Sequence, residues 1–212
     1  MKLKKNFRTQ LSQVALICAL LPQTMQAVII TKAANANALN LGTSWVGGVA
    51  PGSADLMLWD STYTAVAQAS LPLLSADMAV DGIMVTNPAG AANTANVIVG
   101  SRHDGTVGAP IRVLTIGASG ISMSSATKAI RIDAGVKLGA NQTWSVIDAN
   151  TVGNPSGFNN GEDVAFLAPA LTDFDMNGRT LTTSGTGQIT LSSGYTLRNG
   201  TVNIGNNLFV LQ

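Results

Sequence analysis

The sequence predicts an all-β chain, read further as a right-handed parallel β-helix with a β-sandwich as the alternative, and three observations carry that reading. Charge is scarce: 11% of residues are charged against 46% hydrophobic, with 22 glycines, where an ordinary globular domain carries about 25% charge. A chain this apolar is not disordered, and its Thr, Ser and Asn suit short strands and tight turns. Strand-length runs that alternate apolar with small polar residues then follow one another, with no helical periodicity after the N-terminal stretch. Apolar positions also recur at a longer period, from Leu181 to Ile204 and from Leu114 to Leu138, the return distance of a coil with three strands.

Residues 1–27 are read as a secretory signal. "MKLKKNFR" is a basic start, and "VALICALLP" (Val14 to Pro22) is an apolar run too short to span a bilayer. Cleavage is placed after Ala27, with a later option in "AANANA" (Ala33 to Ala38). Cys18, the one cysteine, lies inside the apolar run behind a bulky Ile17, which argues against lipidation and leaves the exported chain without a disulfide. Removing Lys2, Lys4, Lys5 and Arg8 leaves eight Lys and Arg against eleven acids. No basic patch remains for a nucleic acid, and membranes enter only through export or display machinery. The expected location is secreted or at the surface of a bacterium.

Residues 28–65 read as an N-terminal capping segment. "SWVGGVAPGSADLMLWD" (Ser44 to Asp60) holds two of the three tryptophans around a turn at Pro51 and Gly52. Trp buries a large apolar area and needs a partner for its N–H, so Trp45 and Trp59 are expected to cover the open apolar end of the first coil. The competing use is a glycan-stacking platform, with Asp55 and Asp60 accepting sugar hydroxyls.

Residues 66–212 are expected to form the coils and to continue in a longer parent chain. "IRVLTIG", "AIRIDAG", "QTWSVID", "RTLTTSG", "GQITLSS", "GYTLRNG", "TVNIGN" and "NLFVLQ" are strand runs separated by Gly, Asn, Ser or Asp. Leu181, Ile189, Leu197 and Ile204 are spaced as one inward column, and Leu114 to Leu138 spans a comparable set. Each such residue contributes roughly 1.5–3 kcal/mol when fully buried. Trp144 is placed at a coil corner or in the core.

The candidates for chemistry are few, and no catalytic residue, metal ligand or cofactor is assigned. His103, the one histidine, sits beside Asp104 in "GSRHDG", but neighbours on an extended strand point to opposite faces. Asp173 and Asp175 share a face about 7 Å apart by strand rise, a spacing that hydrolysis of glycosides could use. Arg131 and Asp133 are expected to pair with exposed neighbours. "NNGED" (Asn159 to Asp163) is the most calcium-like cluster and is read as an ordinary loop.

The run from Asn40 to Thr64, followed by Leu114 to Val146 with its "NQTW", resembles the N-terminal part of bacterial proteins with autotransporter-associated β-strand repeats. Gly178 to Asn207 matches the style of those repeats. The resemblance implies a non-enzymatic, exported, passenger-like β-helix that acts as a structural stem or adhesin. Its partners would be glycans or other cell-surface molecules. Family members are usually much longer and end in an outer-membrane barrel, and here the chain stops at "NNLFVLQ". A carbohydrate-binding or polysaccharide-degrading β-helix is the alternative.

Overall fold

The computed structural model describes residues 27–64, 72–89, 97–100, 111–123, 125–126, 128–147, 164–166, 172–191 and 195–211. Among them are fifteen strands and one 3-10 turn, Gly42–Ser44. The strands are β1 (Ile29–Thr31), β2 (Leu56–Trp59), β3 (Met78–Val85), β4 (Val97–Gly100), β5 (Val113–Ser122), β6 (Ile130–Asp133), β7 (Gly135–Leu138) and β8 (Gln142–Ser145). They continue as β9 (Val164–Phe166), β10 (Thr172–Asp175), β11 (Thr180–Ser184), β12 (Gln188–Leu191), β13 (Tyr195–Arg198), β14 (Thr201–Asn203) and β15 (Leu208–Leu211).

Every pairing between these strands is parallel, the late ones included. The one antiparallel contact among the described residues is an isolated bridge, Lys32 with Trp45. The strands form a ten-stranded and a five-stranded sheet. In the larger, the first halves of β3 and β5 pair with each other and lead on to β7, β10 and β13, a row we term ladder A. Their second halves lead to β2 and β1 on one side and to β8, β11 and β14 on the other, forming ladder B. The smaller sheet, β4-β6-β9-β12-β15, is ladder C. From β3 onward the chain therefore visits A, B and C in that order, five times over.

Parallel neighbours need a long crossover, and here the strands of the other two ladders supply it. The alternation read from the sequence fills the inside. Met78, Leu114, Val136 and Phe174 line up on ladder A, Ile83, Ile121 and Trp144 on ladder B, and Val97, Ile130 and Ile189 on ladder C, all buried in one apolar cluster.

The column expected through Leu181, Ile189, Leu197 and Ile204 needs correction at its end. Leu181 and Ile189 are buried and Leu197 is partly so, but Ile204 is 55% exposed. Leu181 pairs instead with Val202, because the corner between β13 and β14 is short, only Asn199 and Gly200. Leu114 likewise pairs with Val136 rather than Leu138, which faces Ile116. A slip by one pleat repeat keeps the side chain on the same face and shortens that coil.

The A-to-B corner takes two forms. In β3 and β5 the strand runs through it, with a register slip between Val80 and Gly82. Gly120 turns the bend at φ +61°, and a Cβ there would collide with the carbonyl of Thr143. In later coils the corner breaks the strand: Asn177 and Gly178 have φ 51° and 73°, and Asn199 has φ 59°. An Asn-Gly pair with two positive φ angles suits a hairpin, but here it joins β10 to β11 in different ladders.

Candidate functional site

The four residues expected to hold a glycan are placed at the start of the ladders, and they do not make an open platform. Trp45 and Trp59 pack edge to face, with ring centroids 5.9 Å apart and planes at 68°. Both are buried, at 3% and 0% exposure, so neither offers a face on which a sugar could stack. The Trp45 N–H donates to the Leu39 carbonyl at 2.7 Å. The Trp59 N–H is buried without a hydrogen-bond partner among the described residues. Asp55 accepts from the backbone N–H of Gly52 at 2.8 Å, and Asp60 from that of Thr62 at 2.8 Å. Both carboxylates thus hold turns, as short acidic side chains commonly do.

Beside this pair lies a residue that sequence patterning does not single out. Lys32 is fully buried next to β1. Its ammonium donates to the carbonyls of Ala33 and Asn35, each at 2.8 Å, and to Asn35 Oδ1 at 3.1 Å. Three protons meet three acceptors, and Nζ also lies 5.3 Å from the centroid of the Tyr63 ring. No carboxylate pairs with it among the described residues. Burial pushes its pKa down to about 8.

The remaining candidates are engaged with their neighbours. Arg131 Nε donates to Asp133 Oδ1 at 2.8 Å, and both side chains are buried, so this pair forms internally rather than with exposed neighbours. Asp173 accepts from Arg198 at 2.6 Å. Asp175 accepts from the backbone N–H of Asn177 at 2.9 Å and the amide of Asn199 at 3.0 Å. The Asn177 bond first, then the Asn199 bond, holds Asp175 below the usual carboxylate range, the opposite of what a general acid requires. Trp144 is buried in the core, donating to Gln142 Oε1 at 2.8 Å. His103 and Asn159 to Asp163 lie outside the described residues. Among the described residues no three His, Cys, Asp or Glu side chains gather as a metal site would need, and no helix is long and apolar enough to cross a membrane.

The outer face of ladder B is open to solvent among the described residues. A shallow groove of about 480 Å³ runs along it, lined by Ala118, Ser119, Asn141, Gln142, Thr143, Thr180 and Thr182. None of these side chains is charged or aromatic. Gln142 is held in place by donating to the Ile116 carbonyl at 3.0 Å. Asn141 Oδ1 accepts from the backbone N–H of Thr180 at 2.9 Å, tying two coils together at the edge of the groove. At the bend Asp81 accepts from the Ser119 hydroxyl and from the Ala118 N–H. The signal in the sequence was the repeated outward spacing in "NQTWS", "TLTTS" and "TVN". Stacking these strings needs a register that the long excursion of the chain between Thr143 and Thr182 conceals.

Compared with protein-family models, curated proteins and solved structures, the chain matches none.

Proposed function

We propose that this chain is a right-handed parallel β-helix serving as an exported, non-enzymatic stem or adhesin-like segment of a bacterial surface. The observation that carries the reading is the cyclic A, B, C order of parallel ladders, repeated five times from β3 onward. A β-sandwich closes its sheets with antiparallel neighbours, and every described ladder here is parallel. The right hand follows from the strong preference of parallel crossovers.

The stem role rests on how such a ladder grows. Each coil contacts only its neighbours, so length is added without redesigning the core. Weak polar contacts then sum along the axis into avidity for glycans or other surface molecules. Trp45 and Trp59, sharing the core cluster with the first coils, serve in this reading as the cap. Export is assigned to residues 1–27, and the kinship with autotransporter-associated repeats belongs to the same proposal.

The test is the N-terminus of the chain recovered from bacteria expressing it. Peptide mass analysis of the envelope and medium is expected to find a mature start at Val28, and external protease to cut the chain on intact cells. A chain retained in the cytosol with residues 1–27 intact would overturn the export reading.

A further inference from the structure

We propose that the outer face of ladder B binds an extended, uncharged polysaccharide laid across the strands, from coil to coil. The inference deepens the surface role above by naming a ligand class and moving the binding site away from the tryptophans. Three successive strands, β8, β11 and β14, present short polar side chains in register. Thr143, Thr182 and Asn203 form one row across the strands, Thr180 and Thr201 a second, and Ser122, Ser145 and Ser184 of β5, β8 and β11 a third.

The rows have a spacing set by the sheet itself. Neighbouring strands lie about 4.8 Å apart, and alternate residues on a strand about 6.6 Å. A polysaccharide crossing the strands therefore meets a new hydroxyl or amide at every coil, a step close to one sugar residue of an extended chain. Among the described residues, the hydroxyls of Thr143, Thr180, Thr182 and Thr201 and the amide of Asn203 make no hydrogen bond to protein, whereas Ser119 is held by Asp81. Each free hydroxyl can both donate and accept, as sugar hydroxyls do. Threonine is also stiff at χ1, so little side-chain freedom is lost on binding.

Charge selects the ligand further. No lining side chain of the groove is charged, and the carboxylate of Asp81 stands at the bend beside Ser119. Acidic polysaccharide finds no cation in the lining. On ladder A, by contrast, outward charges stand close together, Asp173 paired with Arg198 among them. With no aromatic ring in the groove, binding depends on the number of hydroxyls met, and affinity grows with ligand length.

The test uses the purified full chain, with cellohexaose, laminarihexaose and mannohexaose as neutral probes, cellobiose, laminaribiose and mannobiose as the matching short ones and hexagalacturonate as an acidic one. Amide shifts in an NMR titration are expected on β8, β11 and β14 with at least one neutral hexasaccharide, bound about tenfold more tightly than its disaccharide. Hexagalacturonate is expected to leave those amides unmoved. The double substitution Thr143→Arg with Thr182→Arg should abolish the shifts while leaving the far-UV spectrum unchanged. The proposal is overturned if no neutral hexasaccharide moves these amides at millimolar concentration, if the shifts survive the double substitution, or if they fall elsewhere. Self-association of the chain that the same substitution abolishes would assign the face to a second copy and also overturn it. Failure here is separate from failure of export: a chain that stays in the cytosol yet binds through Thr143 and Thr182 keeps this inference.

Discussion

The N-terminal segment and the coils are joined through the β2–β3 ladder, yet they are held together in different ways. Between residues 27 and 64 each contact is made once: Lys32 in its ring of carbonyls, Trp45 donating to Leu39, Asp55 and Asp60 bracing turns. The same segment leaves Val28, Ile29, Leu41, Val46 and Val49 exposed, whereas the described coils expose one large apolar side chain, Ile204. In the coils the same position recurs at each turn, and the ladder bonds supply the order. A repeated device tolerates local change because its neighbours share the load; a contact made once has no substitute.

Substitutions can break or sharpen this contrast. The largest effect is expected where the coil does depend on one atom. Gly120→Val would drive a branched side chain into the Thr143 carbonyl at a positive φ, costing about 4 kcal/mol or more. Loss of soluble protein, or a large fall in urea midpoint, is the expected result. Trp59→Ala removes the fully buried half of the edge-to-face pair and should cost about 3–5 kcal/mol. Hydrogen exchange should then report faster opening in β1 and β2 than in β11 and β12; equal loosening throughout would erase the contrast.

Lys32 gives the N-terminal segment a pH signature opposite in sign to that of Tyr195 on β13, whose burial raises its pKa and so lowers stability above about pH 10. The folded pKa of Lys32, about 8, lies below the unfolded 10.5, so the unfolded chain binds more protons in that window. Stability should rise between about pH 8 and 10.5, by up to about 3 kcal/mol. Urea unfolding followed in that range should show the rise, and Lys32→Met should flatten it. The smallest effect is on ladder A: Arg198→Ala removes a pair with both side chains about half exposed and should cost less than about 1 kcal/mol. A larger loss by thermal melting would mean that surface pairs, too, act as unique contacts.

Much of this architecture was legible because inward and outward positions alternate locally. Leu181, Ile189, Trp144 and Leu114 announce buried sites from their own strands. What alternation cannot give is register. Ile204 satisfies the period but falls in the bend after β14, and Leu138 satisfies it one pair out of step. Coil length is not constant: the step from Gln142 to its partner Leu181 is nearly double the step from Ile189 to its partner Phe209. The tryptophans were readable as anchors from size alone, but only their burial separates an anchor from a sugar platform. Lys32 was hidden because nothing local marks a lysine whose acceptors are backbone carbonyls. The hydroxyl rows of ladder B were hidden for the opposite reason: each string is visible, and their alignment is not.

The two long strands have one further effect. Because β3 and β5 cross from ladder A to ladder B without a break, neither ladder can come apart at those coils while the other stays closed. Past β5 the corners at Gly139 to Asn141 and at Asn177 and Gly178 interrupt the backbone bonding, and each sheet row gains a seam. Pulled along its axis, the molecule should yield one seam at a time from the β13–β15 end and stop at β5, where two rows must rupture in a single event. The early coils are thereby a mechanical stop, and a force trace should show small steps followed by one large one.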